Sequence, residues 1–187
     1  MLKDSEKVAI SGDFAGRNHF ELFSLPESFQ VDTEFLTQQY KKLQAQFHPD
    51  KFASAGDRER RLALQFTSIL NEAYETLLSP LKRASYLLTL HGIDPEENNQ
   101  AHLGGEFLFE QMQLREELEE IAGSESIADL ERFRHEVEKS LAKLLEQFRD
   151  LYDAAEFAQA KPVYNKLQFL YKLNSEVNQV EETLLDY

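Results

Sequence analysis

The chain has 187 residues, with 20 basic and 34 acidic side chains, a formal net charge of −14 and no cysteine. That balance argues against nucleic acid, whose phosphates need lysine and arginine, and against an anionic membrane surface. The missing thiols exclude a disulfide framework, a cysteine zinc site and a thiolate-held iron–sulfur cluster, while 42% hydrophobic residues suffice for the core of one domain or two small ones.

Nearly every long segment repeats with helical period, and no alternating strand pattern or hairpin signal occurs, so an all-α fold is expected. Residues 1–17 lack a signal-peptide apolar core, are too acidic for a transit peptide and read as a flexible extension. A short first element is expected around His19 to Leu25, ended by Pro26. A second runs from about Asp32, with Asp32 or Thr33 as cap, to Phe47. Its stripe is Leu36, Tyr40, Leu43 and Phe47, and Lys41 and Lys42 fall on the solvent side. Pro49 disfavours helical geometry at His48 and stops it there.

A third element is expected from Asp57, as cap, to Leu78, with Phe66, Ile69, Ala73 and Leu77 as its stripe. Elements two and three then pair antiparallel, stripe to stripe, joined by the loop from His48 to Gly56. The fourth opens with Ser79 as cap and Pro80 at the first position, and Gly92 closes it after His91. Its apolar positions include Leu81, Ala84, Leu87 and Leu88; Leu81, Leu87 and Leu88 are expected to pack the N-terminal domain against the C-terminal helices.

The polar stretch from Asp94 to Gly105, with one proline and two glycines, reads as linker. Three further helical patterns come after it: about Glu106 to Ala122, Ile127 to Tyr152 and Glu156 to Leu185. The second turns Phe133, Val137, Leu141, Leu144, Phe148 and Leu151 inward. The third turns Val163, Leu167, Leu170, Val177, Val180 and Leu184 inward, and Pro162 kinks it or marks its true start. Short connections between long helices imply an antiparallel three-helix bundle. Residues 93–187 hold nine basic and 22 acidic groups, against eight and nine in 19–92, so the acidity belongs to the bundle and the halves are expected to meet different partners.

The loop His48-Pro49-Asp50-Lys51-Phe52 contains no nucleophile, no glycine phosphate cradle and no metal-ligand set. The five histidines, at 19, 48, 91, 102 and 135, are never spaced i,i+3 or i,i+4. A contact with another protein is the better reading of such a loop than chemistry, and no cofactor or metal is expected.

A short helix, a helix with exposed lysines, the tripeptide His48-Pro49-Asp50 and two further helices resemble a J domain, the module by which co-chaperones act on DnaK-type ATPases. The chain has no Gly/Phe-rich tract and no zinc-binding cysteines after it. Instead FHPDKFASAGDRER, SPLKRASYLLTLHGID, FLFEQMQLREELEEI and the final LLDY are similar to the HscB family, J-type co-chaperones of iron–sulfur cluster assembly. The likeness spans roughly residues 18–187.

After the flexible extension (1–17), which lies outside the likeness, the resemblance implies a J domain (18–92), a linker (93–105) and a C-terminal three-helix bundle (106–187), L-shaped overall. It implies that His48, Pro49 and Asp50, steered by Lys41, Lys42 and Lys51, contact an HscA-like chaperone and stimulate its ATPase. It implies that Leu108, Phe109, Met112, Gln113, Glu116 and Glu120, with Phe169 of the last helix, bind an IscU-type scaffold. Spacing supports part of this: Leu108, Met112, Glu116 and Glu120 succeed one another at intervals of four and give one helix face an apolar and an acidic end. Phe109 stands where a thioether or aliphatic side chain is expected, which makes the patch bulkier.

The expected protein is a binding adaptor, not an enzyme, of the bacterial cytoplasm. A monomer is expected, with a weak dimer as the alternative. Other readings are a J protein serving a different client pathway, a purely structural helical scaffold, and an enzyme using His48 and Asp50 as acid and base.

Overall fold

The computed structural model describes residues 16–53, 55–97 and 104–185, and among these all regular structure is helical. The extension expected over residues 1–17 lies outside the described residues up to position 15, as does the linker from 98 to 103. The chain divides into two compact units, Met1–Arg83 and Ala84–Tyr187, and the division falls inside a helix.

In the first unit, α1 (His19–Leu22) begins with a reciprocal cap. Asn18 Oδ1 accepts the Glu21 N–H at 2.9 Å, and Glu21 Oε2 accepts the Asn18 N–H at 2.8 Å. The helix stops three residues before the expected Leu25 because Ser24 takes a left-handed conformation, φ 55°, and Leu25 donates back to the Phe20 carbonyl at 2.9 Å. Phe20, Leu22 and Phe23 are buried.

Asp32 caps α2 (Thr33–Phe47), accepting the N–H groups of Glu34 and Phe35 at 3.0 and 2.9 Å. His48, held by the proline after it at ψ 131°, ends α2, and a 3₁₀ turn comes next at Pro49–Phe52. The cap of α3 (Asp57–Leu78) is Gly56, not the expected Asp57. Asp57 is the first helical residue and pairs with Arg60, while Glu59 accepts the Gly56 N–H at 3.3 Å.

The buried stripe of α3 is Ala63, Phe66, Leu70, Ala73 and Leu77; Leu70 occupies the place expected for Ile69, which is only half-buried. Facing it, Leu36 and Phe47 are buried and Tyr40 and Leu43 half-buried. Tyr40 stacks on Tyr74 with centroids 4.1 Å apart, and Phe47 meets Phe66 edge-on at 4.5 Å. The Tyr40 hydroxyl donates to Asn71 at 2.9 Å and accepts from Gln44 at 3.0 Å, so the pair is fixed by a polar network as well as by area.

The chain then enters α4 (Pro80–Leu90), with the proline at its first position as expected. Gly92, at φ 74°, closes it, and Ile93 donates to the Leu88 carbonyl at 3.0 Å. Ala84, Leu87 and Leu88 are fully buried and Leu81 half-buried. Arg83 is buried too: its guanidinium donates to the carbonyls of Leu77 at 2.8 Å, Phe29 at 2.6 Å and Leu78 at 3.4 Å. Leu77 and Leu78 are the last residues of α3, so the cation satisfies orphan carbonyls at the negative end of that helix.

The second unit contains α5 (Gly104–Ser124), α6 (Ile127–Asp153) and α7 (Phe157–Leu185). Glu125 and Ala155, both left-handed at φ 52° and 58°, make the two reversals, and Ser126 Oγ caps α6 through the Asp129 N–H at 3.3 Å. α6 and α7 pack along their lengths, and α5 rests on both more lightly. Leu144, Leu151, Val180 and Leu184, expected inward, are therefore only half-buried. Leu130, Tyr152, Tyr164 and Leu173 complete the core instead.

Pro162 does not mark the start of α7, which begins five residues earlier and runs through it. Next to it, Lys161 is buried, its ammonium donates to the Pro95 carbonyl and it lies 5.5 Å over the Tyr164 ring. Burial pushes its pKa down, against Glu96, Asp94 and Glu97, which pull it up. The first residues of the stretch expected to be linker are thus fastened to α7. Nearby, His91 stacks on Phe157 at 3.7 Å and meets the Tyr152 hydroxyl at 3.0 Å.

Candidate functional site

Two surfaces carry the residues singled out from the sequence, one in each unit. The first is the turn after α2. Its tips are polar and its flanks apolar: Phe47 before it and Phe52 at its end are both buried, and the turn packs on α3. Between them His48 and Asp50 present side chains that are 50% and 90% exposed. The Thr67 hydroxyl of α3 has one proton and two acceptors in reach, the Ala63 carbonyl at 2.8 Å and the Phe47 carbonyl at 3.3 Å.

The turn orders itself locally. The Asp50 N–H donates to His48 Nδ1 at 3.3 Å, and the Lys51 N–H donates to the His48 carbonyl at 3.0 Å. Nδ1 as acceptor means the imidazole proton sits on Nε2, which leaves an N–H donor for a partner. Were His48 protonated, its Nδ1 would instead face the Asp50 carboxylate, 3.5 Å away. Pro49 fixes φ at the first position of the turn, so little backbone freedom is left to lose on docking. Lys41, Lys42 and Lys51 are all exposed, and the two helix lysines point away from the stripe as expected.

The second surface is α5. Its inward face carries Phe107, Leu118 and Ile121, all buried. Its outward face carries Leu108, Phe109 and Met112, exposed by 42%, 60% and 60%, and then Gln113, Glu116 and Glu120, also exposed. Phe109 and Met112 therefore stand largely outside the core of the bundle, with Leu108 at its edge. Three such residues within two turns form an apolar end beside an acidic one, which is how a protein-binding patch is built.

Phe169, grouped with them from the sequence, is elsewhere: it is 8% exposed and lies inside the bundle. Its ring meets Phe107 edge-on at 5.8 Å, and the Arg115 guanidinium covers it at 5.5 Å. It supports α5 from behind and does not share the outward face. The reason is tertiary, since the light seating of α5 on α6 and α7 decides which of its sides is covered.

Phe52 and Thr67 hold the turn from beneath: the sequence marks Phe52 as part of the loop but not as its buried support, and Thr67 it does not mark at all. Among the described residues no group of three His, Cys, Asp or Glu side chains could hold a metal ion, and no helix is long and apolar enough to cross a membrane.

Comparison with known proteins meets the two surfaces separately. A family model described as the DnaJ domain matches residues 18–86, and one described as the HSCB C-terminal oligomerisation domain matches residues 104–178. The chain is 43% identical over 169 residues to a co-chaperone protein HscB homolog of Vibrio atlanticus, covering 90% of this chain and 99% of the relative. Chaperone HscB from Vibrio cholerae superposes with a TM-score of 0.82 at 40% identity, covering 89% of this chain and 99% of that one. Human co-chaperone protein HscB superposes with a TM-score of 0.84 at 30% identity, covering 90% and 83%.

Proposed function

Because this chain belongs to the HscB family of J-domain co-chaperones, we propose that its His48-Pro49-Asp50 turn stimulates ATP hydrolysis by a DnaK-type, HscA-like chaperone. The outward face of α5 meanwhile binds an IscU-type iron–sulfur scaffold and delivers it to that chaperone, promoting cluster maturation and transfer. Residues 18–92 act as the J domain, 93–105 as the connection and 106–187 as the scaffold-binding bundle. The setting is the bacterial cytoplasm.

The observation that carries this reading is the build of the turn. Two buried aromatics clamp it while the His48 Nε2–H and the Asp50 carboxylate stand in water. An Asp50 carboxylate offered this way suits a bidentate contact with a partner arginine, and the imidazole adds one directional donor. Lys41, Lys42 and Lys51 raise the rate of encounter with an acidic partner surface more than they add affinity. On α5 the affinity comes from area, with Phe109 and Met112 as anchors and Gln113, Glu116 and Glu120 as polar rim. Phe169 contributes by holding α5 in place.

An ATPase assay with a DnaK-type chaperone, run with and without an IscU-type scaffold, tests both arms. The wild-type chain is expected to stimulate hydrolysis, and the scaffold to raise that stimulation. Stimulation without any scaffold binding would point to another client and overturn the second arm.

A further inference from the structure

The α2–α3 hairpin leaves one stretch of α3 unused by its own fold. On the flank facing α2, Thr67 reaches the Phe47 carbonyl, Asn71 meets Tyr40 at 2.9 Å and Tyr74 meets Thr37 at 3.2 Å. Seven residues, or two turns, before Thr67 and Asn71 on the same flank come Arg60 and Leu64. By that level α2 has ended, because Phe47 is its last residue and lies beside Thr67. The chain that leads from α2 to the start of α3 beyond that level is the polar turn, which packs on α3 and whose Phe52 is buried.

Leu64 is 56% exposed, and with Asp57, Arg60 and Arg61 it lines a shallow depression. One exposed leucine is ordinary. An exposed leucine framed by two arginines, on the same helix that the His48 turn packs against, is not explained by packing, since it faces away from the buried stripe of α3. The local charge also departs from the rest: residues 41–61 hold six basic and three acidic side chains in a chain of net charge −14. An acidic partner surface is complementary to this region.

We propose that Leu64, framed by Arg60 and Arg61, is a second contact for the same chaperone, receiving an apolar side chain flanked by carboxylates. The inference rests on the proposed ATPase-stimulating function and adds a division of labour to it. The His48 turn carries the trigger, and the Leu64 patch carries affinity and orientation. It adds to an α2 whose exposed face offers two lysines, Lys41 and Lys42, beside the uncharged Gln38 and Gln46.

The experiment is a titration of the wild-type, Leu64→Ser, Arg61→Glu and Arg61→Lys chains into a DnaK-type chaperone, reading stimulated hydrolysis. Unchanged thermal unfolding of each variant checks that the fold is intact. Leu64→Ser and Arg61→Glu are expected to raise the half-maximal concentration about tenfold while leaving maximal stimulation unchanged. Arg61→Lys should restore most of the loss, and the Arg61→Glu defect should shrink at high salt. Curves for Leu64→Ser and Arg61→Glu that coincide with wild type would overturn the inference and leave the trigger standing. A fall in maximal stimulation alone would move Leu64 into the trigger and overturn the division of labour. No stimulation by the wild-type chain would overturn the proposed function itself, and this contact with it.

Discussion

The two units prepare their candidate contact surfaces in opposite ways. In the first, aromatic side chains are spent inward, at Phe47 and Phe52, to hold a turn whose exposed atoms are polar and directional. In the second, α5 keeps Phe107, Leu118 and Ile121 for its own core and turns Leu108, Phe109 and Met112 out to solvent. A clamped polar turn acts through a few geometry-dependent contacts, so conservative changes should disable it. An apolar patch acts through area, so only truncation should weaken it, and by degrees. Burial thus locates the machinery in both units, but by opposite signs.

The sharpest way to break the comparison is at the turn. His48→Gln or Asp50→Asn is expected to reduce stimulated ATP hydrolysis to the unstimulated rate, with thermal unfolding unchanged because both side chains are exposed. A second test separates support from contact in the bundle. Phe169→Ala is expected to destabilise the chain by about 3 kcal/mol in urea unfolding, whereas Phe109→Ala should change stability by no more than about 0.5 kcal/mol. Equal losses would dissolve the distinction between the outward face of α5 and the α7 side chain that supports that helix from behind.

Next in size, Phe109→Ala with Met112→Ala is expected to raise the scaffold Kd about tenfold with little dependence on salt. Chaperone affinity on the J side should weaken as salt rises. Scaffold binding left unchanged by the double substitution would remove the patch from the account.

The smallest effect concerns pH. Burial holds the His19 imidazole below its usual 6.5, and Glu72 only partly offsets that. The unfolded chain therefore binds this proton more readily than the folded one. The site costs nothing above pH 6.5 and destabilises progressively as pH falls from there through the lowered value. His19→Gln should flatten the acid side of the stability profile, and an NMR titration should place the His19 midpoint below the usual histidine range. A profile that the substitution leaves unaltered would contradict this assignment.

How much can be read from the sequence depends on the range of the signal. Asp32, Pro49, Pro80 and Gly92 act on their immediate neighbours, and the limits of α2, α3 and α4 lie at or next to where those residues put them. The end of α1 is not legible, because Ser24, without the usual glycine, adopts the left-handed geometry that closes it. The stripe of α3 differs from the expected one by a single residue, since Ile69 and Leu70 are adjacent aliphatics that fit the period almost equally well. Arg83 cannot be read as buried without knowing that the carbonyl end of α3 lies within its reach. α5 is the least legible element. It carries apolar residues on both faces, so periodicity cannot choose between them; only the packing of the bundle places Phe107 inside and Phe109 outside, and leaves Phe169 behind the helix instead of beside the patch.

The most direct test of the account is scaffold-dependent ATP hydrolysis by a DnaK-type chaperone, measured with the wild-type, Asp50→Asn and Phe109→Ala/Met112→Ala chains at matched concentrations. Asp50→Asn is expected to bind the scaffold normally and give no stimulation. The patch variant is expected to stimulate the chaperone normally and lose the scaffold-dependent increment. Wild-type stimulation from Asp50→Asn, or an intact increment from the patch variant, would contradict the assignment of separate tasks to the turn and to α5.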